Sequence, residues 1–330
     1  MIPISERAYF LTVACVAVCL VGLVRTAALT YGVIDHPTHR GSHEVPTPRG
    51  GGLGVVLSVV GASLLVREYF GDGWTIGLCL AACSAIAVIG WLDDRGGLPV
   101  RTRLVVHLLA SFATGLLASS GERSAIVGVA LFLSWSFLTV SSINIVNFMD
   151  GINGLVASQV AIFATSLMLF GWGDASASWY AAAVTAACVG FLPWNFPRAR
   201  IFLGDAGSGA LGFLVPFLSL LAMRQHDLTV IQAHMPLIPL FGDGVLTIYR
   251  RWRRGERLTQ AHRSHLYQRL ANGGMGHTRV TLLYGTASLM GAIVAHWGNA
   301  RQSWLAGAAY ALVLCAVVVV LERRVASACT

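Results

Sequence analysis

Long apolar runs alternate with short polar segments along the whole chain. A helix needs about 20 apolar residues to cross a bilayer, and eleven runs approach or reach that length. Each run predicts a transmembrane α-helix. We therefore expect one domain over residues 1–330, an all-α polytopic membrane bundle. The runs cover residues 8–29, 53–67, 74–92, 103–119, 124–143, 154–172, 178–194, 206–223, 228–249, 278–297 and 302–321.

The composition excludes an ordinary soluble protein. Hydrophobic residues make up 55% of the chain and charged residues 12%, whereas a soluble domain has about 25% charged residues. The run 8–29 is too long for a signal-peptide core and lacks a small-residue cleavage site, so we expect a retained span. The seven cysteines lie mostly within apolar runs without metal-ligand spacing. They are typical of small core residues rather than of disulfides or a zinc site.

The basic residues divide unequally between the two sides of the predicted bundle. All 23 are arginine, and they give a net charge of +8. If successive spans alternate in direction, 18 of the 23 lie in or beside one set of loops. Cytoplasmic loops carry the excess of basic residues, so this set is predicted to be cytoplasmic. The positive charge then indicates contact with anionic membrane lipids rather than with nucleic acid.

The polar side chains that could carry chemistry gather on the same side. An aspartate at the centre of a span costs roughly 2.5–3.5 kcal/mol, so their position near span ends predicts a site at the cytoplasmic surface. A transporter would instead place polar groups near the bilayer midplane and use both faces. The residues are Asp35, Asp93, Asp94, Asn144, Asn147, Asp150, Asn153, Asn195, Asp205 and Asp243.

Two motifs place carboxylates at span ends. In "GWLDDRGG", Asp93 and Asp94 would repel each other unless a cation relieves them, and such hard oxygen ligands suit Mg²⁺. The alternative is a solvated start of a loop. In "RIFLGDAGSGALGF", Asp205 lies in a glycine-rich turn whose backbone N–H groups could bind an anion. The alternative here is that Asp205 simply caps a helix.

Two further segments carry basic and small residues. "HRGSHEVPTPRGGGLG" presents His43, Thr47 and Arg49 before three glycines that permit close approach of a ligand. "YRRWRRGERLTQAHRSHLYQRL" begins with arginines typical of an anchor on lipid headgroups. His262 and His265 are three residues apart, a spacing that can put both on one helical face and suits phosphate binding. Carboxylates for a metal beside cations for phosphate indicate phosphoryl transfer between a soluble and a lipid-held reactant.

Taken together, these residues resemble the polyprenyl-phosphate N-acetylhexosamine-1-phosphate transferase superfamily. "PTPRGGG", "DD", "NFMDGINGL", "FLGDAGS" and "HRSH" occur in the family's order and cover nearly the whole chain. The resemblance implies a bundle of ten or eleven transmembrane helices in the bacterial inner membrane, with its active site on the cytoplasmic face. It also implies transfer of sugar-1-phosphate from a UDP-N-acetylhexosamine to undecaprenyl phosphate with release of UMP. Mg²⁺, or alternatively Mn²⁺, would be the cofactor, and a homodimer is compatible with the family.

The resemblance also assigns roles to residues. Asp205 and Asp94 would hold the metal, and Asp93 and Asp94 would serve the prenyl phosphate. Asn147 and Asp150 would shape the centre of the cleft. A uridine pocket would be formed by Gly151, Asn153, Asn195 and Phe202. The diphosphate would be bound by His262, Arg263 and His265.

Two departures from the family pattern leave alternatives open. Arg101 or Arg103 must replace a lysine that the family often has after the aspartate pair. The form "HRSH" is similar to that of O-antigen initiators that use deoxyhexosamines such as fucosamine or quinovosamine, so UDP-N-acetylglucosamine and these sugars remain alternative donors. A flippase or other transporter of lipid-linked sugars, and a non-catalytic membrane scaffold, are the alternative functions.

Overall fold

A computed structural model describes residues 5–37, 45–171, 175–257, 262–297 and 300–327. Within these ranges the chain is a bundle of α-helices with a single two-stranded antiparallel ribbon. The helices are α1 Glu6–Tyr31, α2 Gly52–Phe70, α3 Trp74–Gly96, α4 Val100–Ser119, α5 Ala125–Met149, α6 Leu155–Phe170, α7 Ser176–Asn195, α8 Gly204–His226, α9 Val230–His234, α10 Ile238–Arg253, α11 Leu266–Leu270, α12 Gly276–Ala295 and α13 Ala300–Ser327; the strands are β1 Ile34–Asp35 and β2 Thr47–Pro48.

The structure confirms an all-α, multi-pass membrane bundle. Nine helical segments of its described residues are long and apolar enough to cross a membrane, and they match nine of the eleven predicted spans. Large apolar side chains cover the outside: Leu11 is 62% exposed, Ile126 84% and Leu312 71%. Such extensive exposed apolar surface is expected only where lipid replaces water.

Two predicted spans have a different form. The run at 154–172 makes the helix α6, which has 16 residues and is mostly buried among its neighbours. The run at 228–249 is divided into α9, a 3₁₀ turn over Met235–Leu237, and α10. Pro236 and Pro239 stand at the starts of the 3₁₀ turn and α10. Proline fits a first helical turn but cannot donate within a continuous helix, so the run is interrupted there.

The helix α8 forms the centre of the bundle and begins at the candidate site. Nearly all of its residues are buried, and it packs against α2, α3 and α5. Its glycines make this contact close: a Cβ on Gly52 of α2 would lie 2.1 Å from Cα of Gly207, and a Cβ on Gly212 would lie 2.7 Å from Cα of Ile143. The glycines of "GDAGSGALG" therefore serve helix packing as well as the turn before α8.

The glycine-rich segment before α2 is joined to the segment before α8. Gly51 N–H donates to the carbonyl of Phe202 at 2.9 Å, and Gly52 N–H donates to that of Leu203 at 2.8 Å. We predicted that these glycines permit close approach of a ligand. Instead they approach the protein's own backbone, and they fix strand β2 beside the start of α8.

Candidate active site

Two arginines join three aspartates where α3, α4 and α8 meet at one end of the bundle. Arg103 Nη1 lies 2.5 Å from Oδ2 of Asp93 and 2.7 Å from Oδ2 of Asp205. Arg49 Nε lies 2.7 Å from Oδ1 of Asp94, and its Nη2 lies 3.0 Å from Oδ1 of Asp205. The side chains of Asp93 and Asp205 are 12% and 16% exposed, and those of the two arginines about a quarter to a third. The structure thus brings residues from three motifs, together with Arg103, into one accessible charged cluster.

Asp94 completes the N-terminus of α8. Its carboxylate has no exposed surface; Oδ1 accepts the N–H of Asp205 at 3.0 Å and Oδ2 the N–H of Ala206 at 3.3 Å. Gly204 precedes them with φ +75°, and a Cβ there would lie 2.4 Å from Asp94 Oδ2. We predicted that the N–H groups of this turn could bind an anion. The anion that they bind is Asp94 of the protein itself, so they do not hold a substrate phosphate.

The acidic cluster contains a position for a cation between two carboxylates. In the ranges that the structure describes, no three Asp, Glu, His or Cys side chains form a ready-made metal site. The Nη1 atom of Arg103 instead stands in for a positive charge between Asp93 Oδ2 and Asp205 Oδ2. Hard carboxylate oxygens of this kind fit Mg²⁺. Because the oxygens of Asp94 face backbone N–H groups and Arg49, the geometry favours Asp205 with Asp93 over the predicted pair of Asp205 and Asp94.

The end of α5 borders this cluster. Asn147 Nδ2 donates to Ser208 Oγ at 2.9 Å, which joins α5 to the first turns of α8. Asp150 follows the last residue of α5 and is half-buried. Burial, and then the negative charge of Asp205, raises the pKa of Asp150 to about 7. A carboxyl group with such a pKa can gain or release a proton near neutral pH, which makes it a candidate proton acceptor.

A cavity of about 590 Å³ opens on the same face of the protein. Thr47, Asn153 and Phe202, all predicted to bind substrate, line it. Asn153 Nδ2 also donates to the carbonyl of Pro197 at 3.1 Å. The cavity is strongly basic, which suits a negatively charged ligand such as a nucleotide diphosphate. Its cationic and titratable lining residues are Arg25, Arg198, Arg200 and His277.

Two residues assigned to a uridine pocket do not line this cavity. Asn195 is 5% exposed; its Oδ1 accepts the N–H of Gly154 at 2.6 Å, and its Nδ2 donates to the carbonyl of Ile201 at 2.9 Å. It therefore positions the segments that carry Asn153 and Phe202. Gly151 packs against α11, since a Cβ there would lie 2.2 Å from the hydroxyl of Tyr267. Both residues support the cavity wall instead of contacting a ligand in it.

The segment with His262, Arg263 and His265 leads into α11. The rings of the two histidines lie 4.9 Å apart, and Ser264 Oγ lies 2.8 Å from Nδ1 of His262. Burial, and then the proximity of His265, lowers the pKa of His262 to about 4, so His262 is neutral at pH 7. His265 is only 1% exposed. We predicted that both rings contact a diphosphate. For this contact, His262 would have to gain a proton beside the bound anion, and His265 would have to become exposed.

The structure distinguishes between the two arginines that could replace the family's lysine. Arg103 contacts the aspartates, whereas Arg101 is exposed, so Arg103 is the arginine that belongs to the site. His43 lies outside the described residues.

Sequence reasoning missed five residues of this face. Arg25, Arg198, Arg200 and His277 line the basic cavity, yet the arginines entered only into the prediction of sidedness. The position of Arg198 and Arg200 between Asn195 and Phe202 was a usable signal. Asp243 is the fifth residue, and its signal is an acidic side chain within the apolar run 228–249.

The chain is similar to known proteins over most of its length. The sequence profile of Glycosyl transferase family 4 matches residues 76–223. The chain is 30% identical to a decaprenyl-phosphate N-acetylglucosaminephosphotransferase of Mycobacterium tuberculosis, over 86% of this chain and 80% of that protein. It is 29% identical to a probable undecaprenyl-phosphate N-acetylglucosaminyl 1-phosphate transferase of Bacillus subtilis, covering 79% and 76%. It is 27% identical to an undecaprenyl-phosphate alpha-N-acetylglucosaminyl 1-phosphate transferase of Yersinia pestis, covering 82% and 78%.

Proposed function

Because the chain belongs to Glycosyl transferase family 4, among the polyprenyl-phosphate N-acetylhexosamine-1-phosphate transferases, we propose that it transfers an N-acetylhexosamine-1-phosphate from a UDP-sugar to undecaprenyl phosphate. The observation that carries the proposal is the meeting of Asp93, Asp205, Arg49 and Arg103 at one end of a membrane bundle. A basic cavity opens on the same face. A polyprenyl acceptor would reach the cluster from the bilayer, and a nucleotide sugar would enter from the aqueous side.

The reaction is a displacement at phosphorus. An oxygen of the lipid phosphate forms a bond with the β-phosphorus of the UDP-sugar. The bond from that phosphorus to the oxygen bridging it to the α-phosphate breaks, and UMP leaves with the bridging oxygen. Arg49 and Arg103 would stabilise charge on the phosphate oxygens, which is the main demand of phosphoryl transfer. A phosphate monoester, whose second pKa is about 6, is mostly ionised at pH 7, so Asp93 need not act as a base.

The cavity and the charged cluster would bind the two substrates at separate places. Asn153 and Phe202 would hold the uracil and ribose, while Arg198 and Arg200 would hold the diphosphate. The arginine cluster would then take the acceptor phosphate. Such separation of two bound reactants, with the reacting atoms between them, is how a site supplies proximity.

We also propose Mg²⁺ as the cofactor, held by Asp205 and Asp93. When bound, the cation would neutralise the diphosphate and polarise its oxygens. Arg103 would then give up its position between the two carboxylates and become available to a substrate phosphate.

The proposal includes location and pathway. The arginine-rich face would be cytoplasmic in the bacterial inner membrane, since it carries most of the basic residues. The product, a lipid-linked sugar diphosphate, would initiate O-antigen or another cell-envelope polysaccharide. UDP-N-acetylglucosamine is the first donor to test, because the names of the relatives specify N-acetylglucosamine. The deoxyhexosamine donors are the second group to test, because of the "HRSH" form.

The test is release of UMP by the purified protein. Detergent-solubilised protein is incubated with undecaprenyl phosphate, Mg²⁺ and one UDP-sugar at a time from a panel. UMP should form only when both substrates are present, and Asp205→Asn should reduce it by orders of magnitude. Exposed Arg101→Gln is the matched control and should retain most activity. Lack of UMP with every donor, from protein that remains folded, would reject the proposal.

A further inference from the structure

Asp243 of α10 is a buried acidic residue without a role in the chemistry above. It is 6% exposed and accepts four hydrogen bonds. Oδ1 takes the N–H of Leu266 at 2.8 Å and the hydroxyl of Thr247 at 3.1 Å. Oδ2 takes the N–H of Tyr267 at 3.0 Å and the hydroxyl of Tyr284 at 2.7 Å. One carboxylate thus joins α10, α11 and α12.

The number of donors requires a carboxylate. An ionised aspartate has two oxygens that accept in several directions, whereas an asparagine would present an N–H₂ group to two of the same donors. Asp243 relates to α11 as Asp94 relates to α8: in each case a buried aspartate accepts the first backbone N–H groups of a helix. The helix at Asp94 carries a site residue, Asp205, in its first turn. The helix at Asp243 begins directly after His265.

His265 is the candidate site residue nearest to Asp243 in this network. Its Nδ1 lies 3.7 Å from Oδ1 of Asp243, and its ring stacks on Tyr267 at 5.7 Å. In the described part of the chain neither ring nitrogen has a hydrogen-bond partner, although the ring is 1% exposed. Buried polar groups in native proteins normally have partners. Two unpartnered ring nitrogens beside a carboxylate therefore indicate that a phosphate or a water molecule supplies the missing hydrogen-bond partner.

We propose that Asp243 is a positioning residue that acts through His265. It fixes the start of α11, and its carboxylate, 3.7 Å from Nδ1 of His265, holds the imidazole ring in position for the diphosphate of the nucleotide sugar. A carboxylate that orients a ligand-binding histidine commonly has this effect from behind the ring. The inference rests on the proposed function for the identity of the phosphate ligand. The anchoring of α11 stands independently of it.

A double-mutant cycle tests the proposal. Asp243→Asn should lower kcat for UMP release about 10- to 100-fold, the range for loss of a carboxylate partner behind a ligating histidine, and should raise the KM of the UDP-sugar but not that of the lipid phosphate. His265→Ala should lower it at least as much. If Asp243 acts through His265, the double variant should be no slower than His265→Ala alone, because residues that act as a unit are not additive. Losses that multiply would overturn the proposal.

Hydrogen exchange supplies a readout that does not depend on activity. The amides of Leu266 and Tyr267 should exchange faster in Asp243→Asn, since each loses part of its acceptor. The matched control is Ser288→Ala on α12, which removes a buried hydrogen bond to Gln159 of α6 and should not change exchange in α11. Unchanged exchange in Asp243→Asn would overturn the anchoring role.

A milder variant guards against misfolding. Tyr284→Phe removes one donor to Asp243 and should give a smaller loss of kcat in the same direction, whereas full activity with unchanged exchange would count against the network. If the wild-type protein releases no UMP, the proposed function fails, and the exchange experiment alone still decides whether Asp243 anchors α11.

Discussion

The neighbours Asp93 and Asp94 should respond differently to the same substitution. Asp94→Asn keeps one acceptor oxygen but places an amide nitrogen against the N–H of either Asp205 or Ala206. A buried donor left without its acceptor costs about 1–3 kcal/mol. Loss of the charge pair with Arg49 adds only about 1 kcal/mol, because Arg49 is one-third exposed and retains its ion pair with Asp205. The total loss of stability is therefore about 2–4 kcal/mol.

Asp93→Asn should cost much less stability. The oxygen that accepts the N–H of Leu98 is retained, and Arg103 keeps its contact with Asp205. The lost pair is partly exposed, so the cost is about 1 kcal/mol or less. Asp93 lies in the accessible cluster, however, and its loss should lower UMP release by about 100-fold or more if it helps to hold the cation and phosphates.

The assay compares melting temperature and turnover in the same detergent and lipid mixture. At about 2–4 °C per kcal/mol for a large domain, Asp94→Asn should melt on the order of 5–15 °C lower. Asp93→Asn should melt within a few degrees of the wild type. Scans at one fixed rate keep the comparison valid when unfolding is irreversible. Ser84→Ala on the same helix is the control and should change neither quantity. Equal shifts in the two variants, or an unshifted Asp94→Asn, would refute the assignment of Asp94 as the cap of α8.

Three other outcomes are expected. Asn153→Ala should weaken apparent binding of the UDP-sugar by about 1–3 kcal/mol and leave the KM of the lipid phosphate nearly unchanged; equal rises would remove Asn153 from the nucleotide cavity. Asp150→Asn should change the pH dependence of stability. The pKa of Asp150 is raised to about 7 in the folded protein, so the wild type should lose stability as the pH rises from 5 to 8 while the variant does not. Identical melting profiles across this range would contradict that prediction. Gly52→Ala should destabilise the protein by at least about 1–3 kcal/mol through overpacking, because the new Cβ would lie 2.1 Å from Cα of Gly207. Gly61→Ala, which has open space around its Cβ position, is its control, and equal melting temperatures would disprove a tight contact of α2 with α8.

The sequence by itself determined the class of protein and most of its spans. An apolar run long enough to cross a bilayer is a local property, so nine runs could be assigned without knowing what they pack against. Alternation of the spans then predicted that Asp93, Asp150 and Asp205 would share one end of the bundle, and the structure brings them there. The break in the run 228–249 was also available locally, in Pro236 and Pro239, but the length of the run concealed it.

Only the tertiary structure decided what each polar atom does. Asp94 and its two N–H donors are 111 and 112 positions apart in sequence, and Asn195 accepts from a residue 41 positions away. The choice of Arg103 over Arg101 likewise depends on which side of α4 faces α3 and α8. A side chain can bind a ligand only with lone pairs or N–H groups that its neighbours have not already taken. Those neighbours come from distant segments, so the sequence could name the candidate residues, and the packing determined which of them remain available.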